Sequence, residues 1–310
     1  MKLINSKVEI IEQEPGISGI YKQIEIAGRT AYKSEDKITE DSAKTFVDML
    51  IKNGHGAALE HGTVYLQIPR NKVSELIDIH DFNFYESPYV YWNYTDDYVY
   101  ITTNYRALLE HHYEDLLEYV VEPTDKHKKR ITVRFTCDRG VSHEFVRHRV
   151  FSFLQESTRF CNYSKDKYGN QLTFIIPEWV KGFSNEKLPN GNLPEGDYYY
   201  WDGDWCKRVD VEHGTKTQED IIRNADNNDA INLFLWGLSN DESYYLQMVN
   251  KFGLKPQEAR QILPNALKTE LIMTGTVEQW DEFFRLRRAP NAHPDARKLA
   301  NEAYNMIHKE

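Results

Sequence analysis

The chain has 310 residues, 40% hydrophobic and 13% aromatic, enough for one large core or two small ones, and no run of eighteen apolar residues offers a membrane span. A formal charge of −10 speaks against a general nucleic-acid binder. The three cysteines, Cys137, Cys161 and Cys206, are odd in number and too scattered for a disulfide framework or a zinc site, and the N-terminal lysines soon meet acids, unlike a signal peptide; a cytoplasmic protein is expected.

In chain order, Thr39 to Asn53 reads as a helix, with Phe46, Met49 and Leu50 at helical spacing and Asn53-Gly54 as its stop. Thr63 to Ile68 alternates as a strand. Tyr89 to Thr103 reads as a hairpin turning at Thr95-Asp96-Asp97, and Arg106 to Val121 as a helix. Ile131, Val133, Phe135 and Cys137 alternate with polar residues as a strand; Asp138 can cap the next helix, which spans Ser142 to Arg149. Residues 184–215 read as an irregular excursion or hairpin whose cluster from Tyr198 to Trp205 suits packing or a subunit contact. Tyr245, Met248, Val249 and Phe252 form a helical stripe closed by Gly253. Pro256 opens a short helix bearing Arg260, and Pro264 ends it. Leu267 to Met273 is a strand, and Thr276 with Gln279 resembles a capping box. Trp280, Phe283, Phe284 and Arg287 fall on one helix face; Arg287 either snorkels to solvent or points into a site. Pro294, Leu299, Ala303, Met306 and Ile307 fit a last helix.

The charge distribution says more than the sum. From Lys126 to Lys167 there are eleven Lys/Arg against four acids. Within this island stand Arg147-His148-Arg149, then Ser157 after seven residues, then Arg159, interleaved with Val150, Phe151, Phe153, Leu154 and Phe160. An arbitrary basic triplet is a solvated turn. One embedded in so apolar a segment is packed down, and charges held near a core need partners. Arginine forks match phosphate oxygens two at a time, so a phosphate-bearing small molecule is the expected ligand. If the helix ends at the triplet, its three side chains fan out and can reach different groups.

This stretch resembles the signature of the flavin-dependent thymidylate synthases: RHR, seven residues, Ser. Three further blocks keep the family's order: His55 with Glu60-His61, Ala259-Arg260 with Leu263-Pro264, and Trp280 to Arg287. The resemblance implies one domain over residues 1–310 with insertions at about 70–128 and 180–220. It implies an α/β (α+β) fold with a central mixed or antiparallel sheet and long helices, and a homotetramer with shared active sites. The implied reaction is reductive methylation of dUMP to dTMP, with 5,10-methylenetetrahydrofolate as carbon donor and NADPH-reduced FAD as hydride source. The flavin carries the redox chemistry, and the protein supplies orientation and charge.

Carried over residue by residue, His55, Arg147, His148, Arg149 and Gln155 would bind FAD. Arg147, Gln155, Ser157, Thr158, Arg159, Arg260 and Arg287 would bind dUMP, with Arg159 on the phosphate and Arg287, the catalytic residue, at the uracil edge favouring ionisation of N3. Departures from the pattern are Leu154-Gln155 for Asn-Glu, Phe160 for Tyr, Glu144 for Gln, Ala57 for a hydroxyl residue, Glu278 and Glu282 for Arg and Asn, and Asn291 for His. Ser157 has no His/Asp relay near it in sequence and is not expected to be a nucleophile. A metal site is not expected, since four residues separate His55 from Glu60 where the inverted zinc motif has two. The alternative reading is a non-catalytic nucleotide-binding relative.

Overall fold

A computed structural model describes residues 1–77, 82–182, 193–208, 221–226 and 228–308. Its centre is an antiparallel sheet in the order β2 (Lys7–Ile11), β6 (Arg130–Asp138), β12 (Lys268–Thr276), β7 (Ser152–Gln155). The alternation read in β6 is the reason it is central. Val133, Phe135 and Cys137 are fully buried on one face, beneath α7 (Arg139–Phe145), α10 (Val277–Arg287) and α11 (Pro294–Ile307). Thr132 and Arg134 face the other way, and Arg134 Nη2 donates to Thr30 Oγ1 of α1 (Gly16–Tyr32) at 3.3 Å.

A second sheet, β3 (Thr63–Pro69), β5 (Tyr98–Asn104) and β4 (Tyr91–Tyr94), packs with α1 and α2 (Ser42–Lys52) around Phe46, Leu66, Ile101 and Leu108. Short helices α3 (Gly56–Leu59), α4 (Val73–Leu76), α5 (Phe82–Tyr85) and α6 (Tyr105–Glu110) connect its parts. The third sheet is mixed: β11 (Ile221–Asn224), β10 (Asp204–Arg208), β9 (Gly196–Trp201), β1 (Lys2–Ile4) and β8 (Thr173–Ile175), with β1 parallel to β8. It packs on α8 (Ala230–Asn250), and α9 (Pro256–Ala259) leads back to β12. Mixed and antiparallel sheets with helices of 17 and 21 residues match the expected fold class. No helix among the described residues is long and apolar enough to cross a membrane.

Several expectations need correction. Helix α1 was not anticipated: its buried face mixes Ile20, Ile24 and Ala27 with Gln23, Glu25 and Thr30, which blurs the apolar period. Glu25 is tolerated there because Arg29 (3.0 Å) and Ser42 (2.8 Å) bind its two oxygens. The expected helix over Arg106–Val121 breaks at His112, whose φ is +59°, and resumes as a 3-10 turn over Glu114–Tyr119. The helix before the basic triplet stops at Phe145 rather than Arg149. Phe252 (64% exposed) and Met306 (39%) lie outside the cores that their stripes predict. Residues 70–128, the first of the two stretches expected as insertions, form β4 and β5 and contribute Val90, Val99 and Leu116 to the first core. In the second such stretch, Tyr198 and Trp205 pack within a hairpin; residues 183–192 and 209–220 lie outside the described residues.

Gly19 gives a local test of how α1 begins. A Cβ there would stand 1.7 Å from the Glu14 carbonyl oxygen, and backbone cannot swing aside as a side chain can. Gly19→Ala is expected to lower stability by about 1–3 kcal/mol, measured by urea titration.

Candidate active site

The basic triplet owes its place to the strand and helix before it. Asp138 Oδ1 accepts from Val141 N at 2.8 Å, so α7 starts where β6 ends, and its buried Val141, Ser142 and Phe145 fix it to the sheet. After Phe145 the chain turns. His148 N donates to Phe145 O and Phe151 N to His148 O, each at 3.1 Å. Phe151 seals the turn, 3% exposed and 4.7 Å from the ring of Trp280. Arg147 and Arg149 are left exposed while His148 is half-buried, so the triplet fans out as expected.

Helix α10 delivers Arg287 to this turn. The predicted capping box is present, with Gln279 N donating to Thr276 Oγ1 (3.3 Å) and Thr276 N to Gln279 Oε1 (2.8 Å). Trp280, Phe283 and Phe284 are buried against β6 and α11. Arg287 continues that stripe inward: Nε donates to His148 Nε2 at 2.9 Å, Nη1 to Glu144 Oε2 at 2.5 Å, and Nη2 to the Glu144 carbonyl. Arg287 therefore does not snorkel to solvent; its head group is held by Glu144 and His148. His148 can accept because it is neutral. Burial against Phe283, with the nearby Arg287 charge, pushes its pKa down to about 4. The hydrogen bond and charge of Arg287 hold the Glu144 carboxyl below its ordinary range against the opposing effect of burial.

A second group gathers around the other end of the signature. Gln155, paired with Leu271 across the sheet, donates to Ser142 Oγ (2.8 Å) and Thr269 Oγ1 (3.2 Å), tying β7 to α7 and β12. The next residues turn against the end of α1, where Ser157 N donates to Ala31 O at 3.1 Å. Arg159 N donates to Ser157 Oγ (3.3 Å), and Arg260 Nη1 to the buried Thr158 Oγ1 (3.3 Å). The Arg159 guanidinium lies 5.5 Å from the exposed Phe160 ring. Phe160 stands 5.3 Å from Tyr32, whose hydroxyl meets His55 Nδ1 at 2.7 Å. Thus His55, Thr158, Arg159 and Arg260 cluster, as do Arg147, His148 and Arg287. Gln155 bridges to α7 between them. Among the described residues no hydrogen bond joins Arg287 to Arg159 or Arg260.

Three contributors escaped sequence reasoning. Tyr32 had no signal beyond its helix. Glu144 was noted as a departure, not as the partner of Arg287. Glu156, itself buried, lies inside the signature yet points to a charged quartet whose other members are half-buried, meeting Lys268 at 2.8 Å, while Lys268 and Lys33 reach Glu270 at 2.7 and 2.5 Å. A cavity of about 410 Å³, lined by Lys2, Lys33, Glu156, Tyr163, Lys167 and Lys268 among others, opens beside it. His61, aligned with His55 in the sequence, is buried and bound to Thr274 Oγ1 at 2.8 Å, its pKa pushed down to about 3 by burial. It is a core residue, whereas His55 is exposed.

Residues 126–310, which carry the basic turn, β7, Arg260 and α10 but not Tyr32 or His55, match the family model described as thymidylate synthase complementing protein. The chain belongs to that family. Relatives named flavin-dependent thymidylate synthase include those of Pyrococcus furiosus (27% identical, over 53% of this chain and 48% of the relative) and Thermococcus onnurineus (26%, over 65% and 63%). The relative from Corynebacterium aurimucosum is 21% identical over 96% of this chain and 80% of its own length. The chain spans 48% and 63% of the lengths of the first two relatives. A solved structure of the UMP/dUMP methylase PolB from Streptomyces cacaoi, bound with 5-Br dUMP, is 14% identical, with 99% of this chain and 90% of that one covered at a TM-score of 0.39.

Proposed function

We propose that this chain is a flavin-dependent thymidylate synthase, converting dUMP to dTMP with 5,10-methylenetetrahydrofolate as carbon donor and NADPH as reductant. The observation that carries the reading is the meeting of two distant blocks of the family pattern, Arg287 of α10 docked on Glu144 and His148 at the basic turn. Family membership and the names borne by its relatives support it.

The residues present fit FAD. Arg147 and Arg149 are exposed cations on one turn, suited to its phosphates, and exposed His55 and Phe160 flank the half-buried ring of Tyr32. His55, Arg147, His148, Arg149 and Gln155 would hold it. The flavin, when bound, supplies hydride. The remaining work falls to this chain. Arg159 and Arg260 bind the nucleotide phosphate, with Arg147, Ser157, Thr158 and Gln155 lining the site. Arg287 donates to the base, where negative charge builds during transfer.

The exposed Val146 (37%), Val150 (52%) and Leu286 (45%) around the turn suit cover by a second copy, as in a homotetramer with shared sites. A cytoplasmic location accompanies this reading. The test is anaerobic reduction of the purified protein by NADPH, with and without dUMP, followed by product analysis. Yellow protein that yields dTMP is expected. Colourless protein that binds dUMP without turnover would make it a non-catalytic relative.

Arg159 has no carboxylate partner within salt-bridge distance among the described residues, so its charge is free for phosphate. Arg159→Ala is expected to weaken dUMP affinity about 10–100-fold, as for loss of a charged hydrogen bond, with FAD retained. Calorimetric titration measures it, and unchanged affinity would remove Arg159 from the phosphate site.

A further inference from the structure

Two cavities adjoin along the first part of α1, at the opposite end of that helix from Tyr32. One, of about 530 Å³, lies between the end of β2, the start of α1, β3 and residues 120–123. The other, of about 320 Å³, runs along α1 toward Glu40. Glu12, Glu14 and Gln23 line both. Most of the lining precedes residue 126, outside the segment that the family model matches, and none of it is shared with the basic turn or with His55, Arg159 and Arg260.

The groove is apolar within and acidic at its rim. Ile11, Ile20 and Val121 form part of the wall. Glu12, Glu40 and Glu122 are exposed and have no ion-pair partner among the described residues, while Glu14 binds the Lys22 ammonium at 2.7 Å. The Lys22 pKa is raised above its ordinary value by the hydrogen bond and charge of Glu14 and further by Glu40, so this rim already favours an ammonium. The other lining acid, Glu25, is bound by Arg29 and Ser42. Opposing cations are few. Lys129 is exposed, and the Arg130 guanidinium is turned to Thr63 Oγ1, Ser152 Oγ and the carbonyls of Thr103 and Glu60. Between the acids sits a buried acceptor. Gln23 is 3% exposed, and its Oε1 has no hydrogen-bond partner among the described residues. A buried carbonyl in that state weighs against folding until a donor reaches it.

We propose that this groove binds an aliphatic diamine or polyamine, one ammonium donating to Gln23 Oε1, the methylenes lying on Ile11, Ile20 and Val121, and a second ammonium meeting the rim acids. An ammonium has three donors and no acceptor, which suits a carbonyl oxygen flanked by carboxylates. A bare metal ion fits less well: it leaves the apolar wall unused, and no group of three His, Cys, Asp or Glu among the described residues could hold one.

Calorimetric titration of the full chain with 1,4-diaminobutane and 1,6-diaminohexane tests the site, with magnesium chloride as a probe of charge alone. Diaminohexane is expected to bind about tenfold tighter than diaminobutane, because two more methylenes are buried, and magnesium at equal concentration should displace neither. Gln23→Leu should weaken both diamines about tenfold or more, as for a lost charged hydrogen bond. It should do so without loss of stability in urea titration, since the oxygen it removes has no partner. Glu12→Gln combined with Glu122→Gln should weaken both about tenfold. Asp96→Asn combined with Asp202→Asn removes the same charge from two exposed turns and should change affinity by no more than about twofold, as distant exposed charges are screened. Wild type that binds neither diamine overturns the inference. So does binding that ignores chain length, yields to magnesium and responds alike to both charge pairs, which is general attraction to a chain of charge −10. If the acids only balance the first turn of α1, replacing them lowers stability and leaves diamine affinity unchanged, and the inference falls. Should Gln23→Leu not fold, the two charge pairs decide alone.

Discussion

Arg287→Ala is expected to lower dTMP formation by about 10²–10³-fold, the usual loss when a preorganised donor is removed from a developing charge. Bound flavin and the fold should stay. The argument is one of location. Arg287 ends a helix whose anchorage lies earlier, in Trp280, Phe283 and Phe284, all at most 2% exposed. Its ion pair with Glu144 involves a carboxylate that is 38% exposed, so it contributes on the order of 0–1 kcal/mol to folding. Losing the guanidinium also leaves the Glu144 charge without its partner at the basic turn, which compounds the damage. Arg287→Lys should fall between, since it keeps the charge but not the fork that holds His148 and Glu144 together. Anaerobic single-turnover kinetics measure the step, and flavin absorbance with thermal melting measures integrity. Turnover near that of wild type would remove Arg287 from the reaction.

How much of this could be read from the chain depends on the range of the determining interaction. The alternation in β6, the Asp138 cap and the Thr276–Gln279 box are all set within a few residues, and each stands where the sequence puts it. The break at His112 was hidden because a positive φ at a non-glycine residue leaves no mark in an apolar pattern. Helix α1 was missed for the opposite reason. Its buried Glu25 reads as a solvent residue until Arg29 and Ser42 are placed around it. At the site, residue types were legible but their pairing was not. Arg287 and Glu144 lie 143 residues apart, and no local pattern says that they meet. The same holds for Glu156, which sits amid signature residues yet serves the interior.

Glu156→Ala is expected to cost about 1–3 kcal/mol, the penalty for removing a charged acceptor whose donors lose a partner at a largely shielded site. Glu156 is 3% exposed and accepts from Lys268 Nζ at 2.8 Å and from the Tyr163 hydroxyl at 3.1 Å. Without it, Lys268 keeps only Glu270, which it shares with Lys33, and Lys33 keeps Glu35 at 3.3 Å besides. The quartet joins the end of α1, the turn after β7 and the start of β12, so the same substitution should loosen the turn that carries Ser157 to Arg159 and weaken dUMP binding. Replacing Glu156 and Lys268 together by methionine should recover most of the loss, because apolar side chains of similar volume need no partner. The pH dependence gives an independent check. Burial pushes the Glu270 carboxyl up, but Lys268 and Lys33 pull harder and hold it down to about 2, against an ordinary 4.5. A depressed carboxyl contributes stability that is fully present above its unfolded pKa and disappears as pH falls toward the folded one. Stability of wild type should therefore decline between pH 4.5 and about 2, and Glu270→Gln should flatten that limb. At the other extreme, burial works to lower the Lys268 pKa, yet Glu156 and Glu270 more than offset it. Its raised value keeps Lys268 charged until the pH climbs past the ordinary lysine value of 10.5. Denaturant titrations at stepped pH measure both limbs. A cost below about 1 kcal/mol for Glu156→Ala, no more than a surface pair is worth, would show that the quartet does not hold this turn.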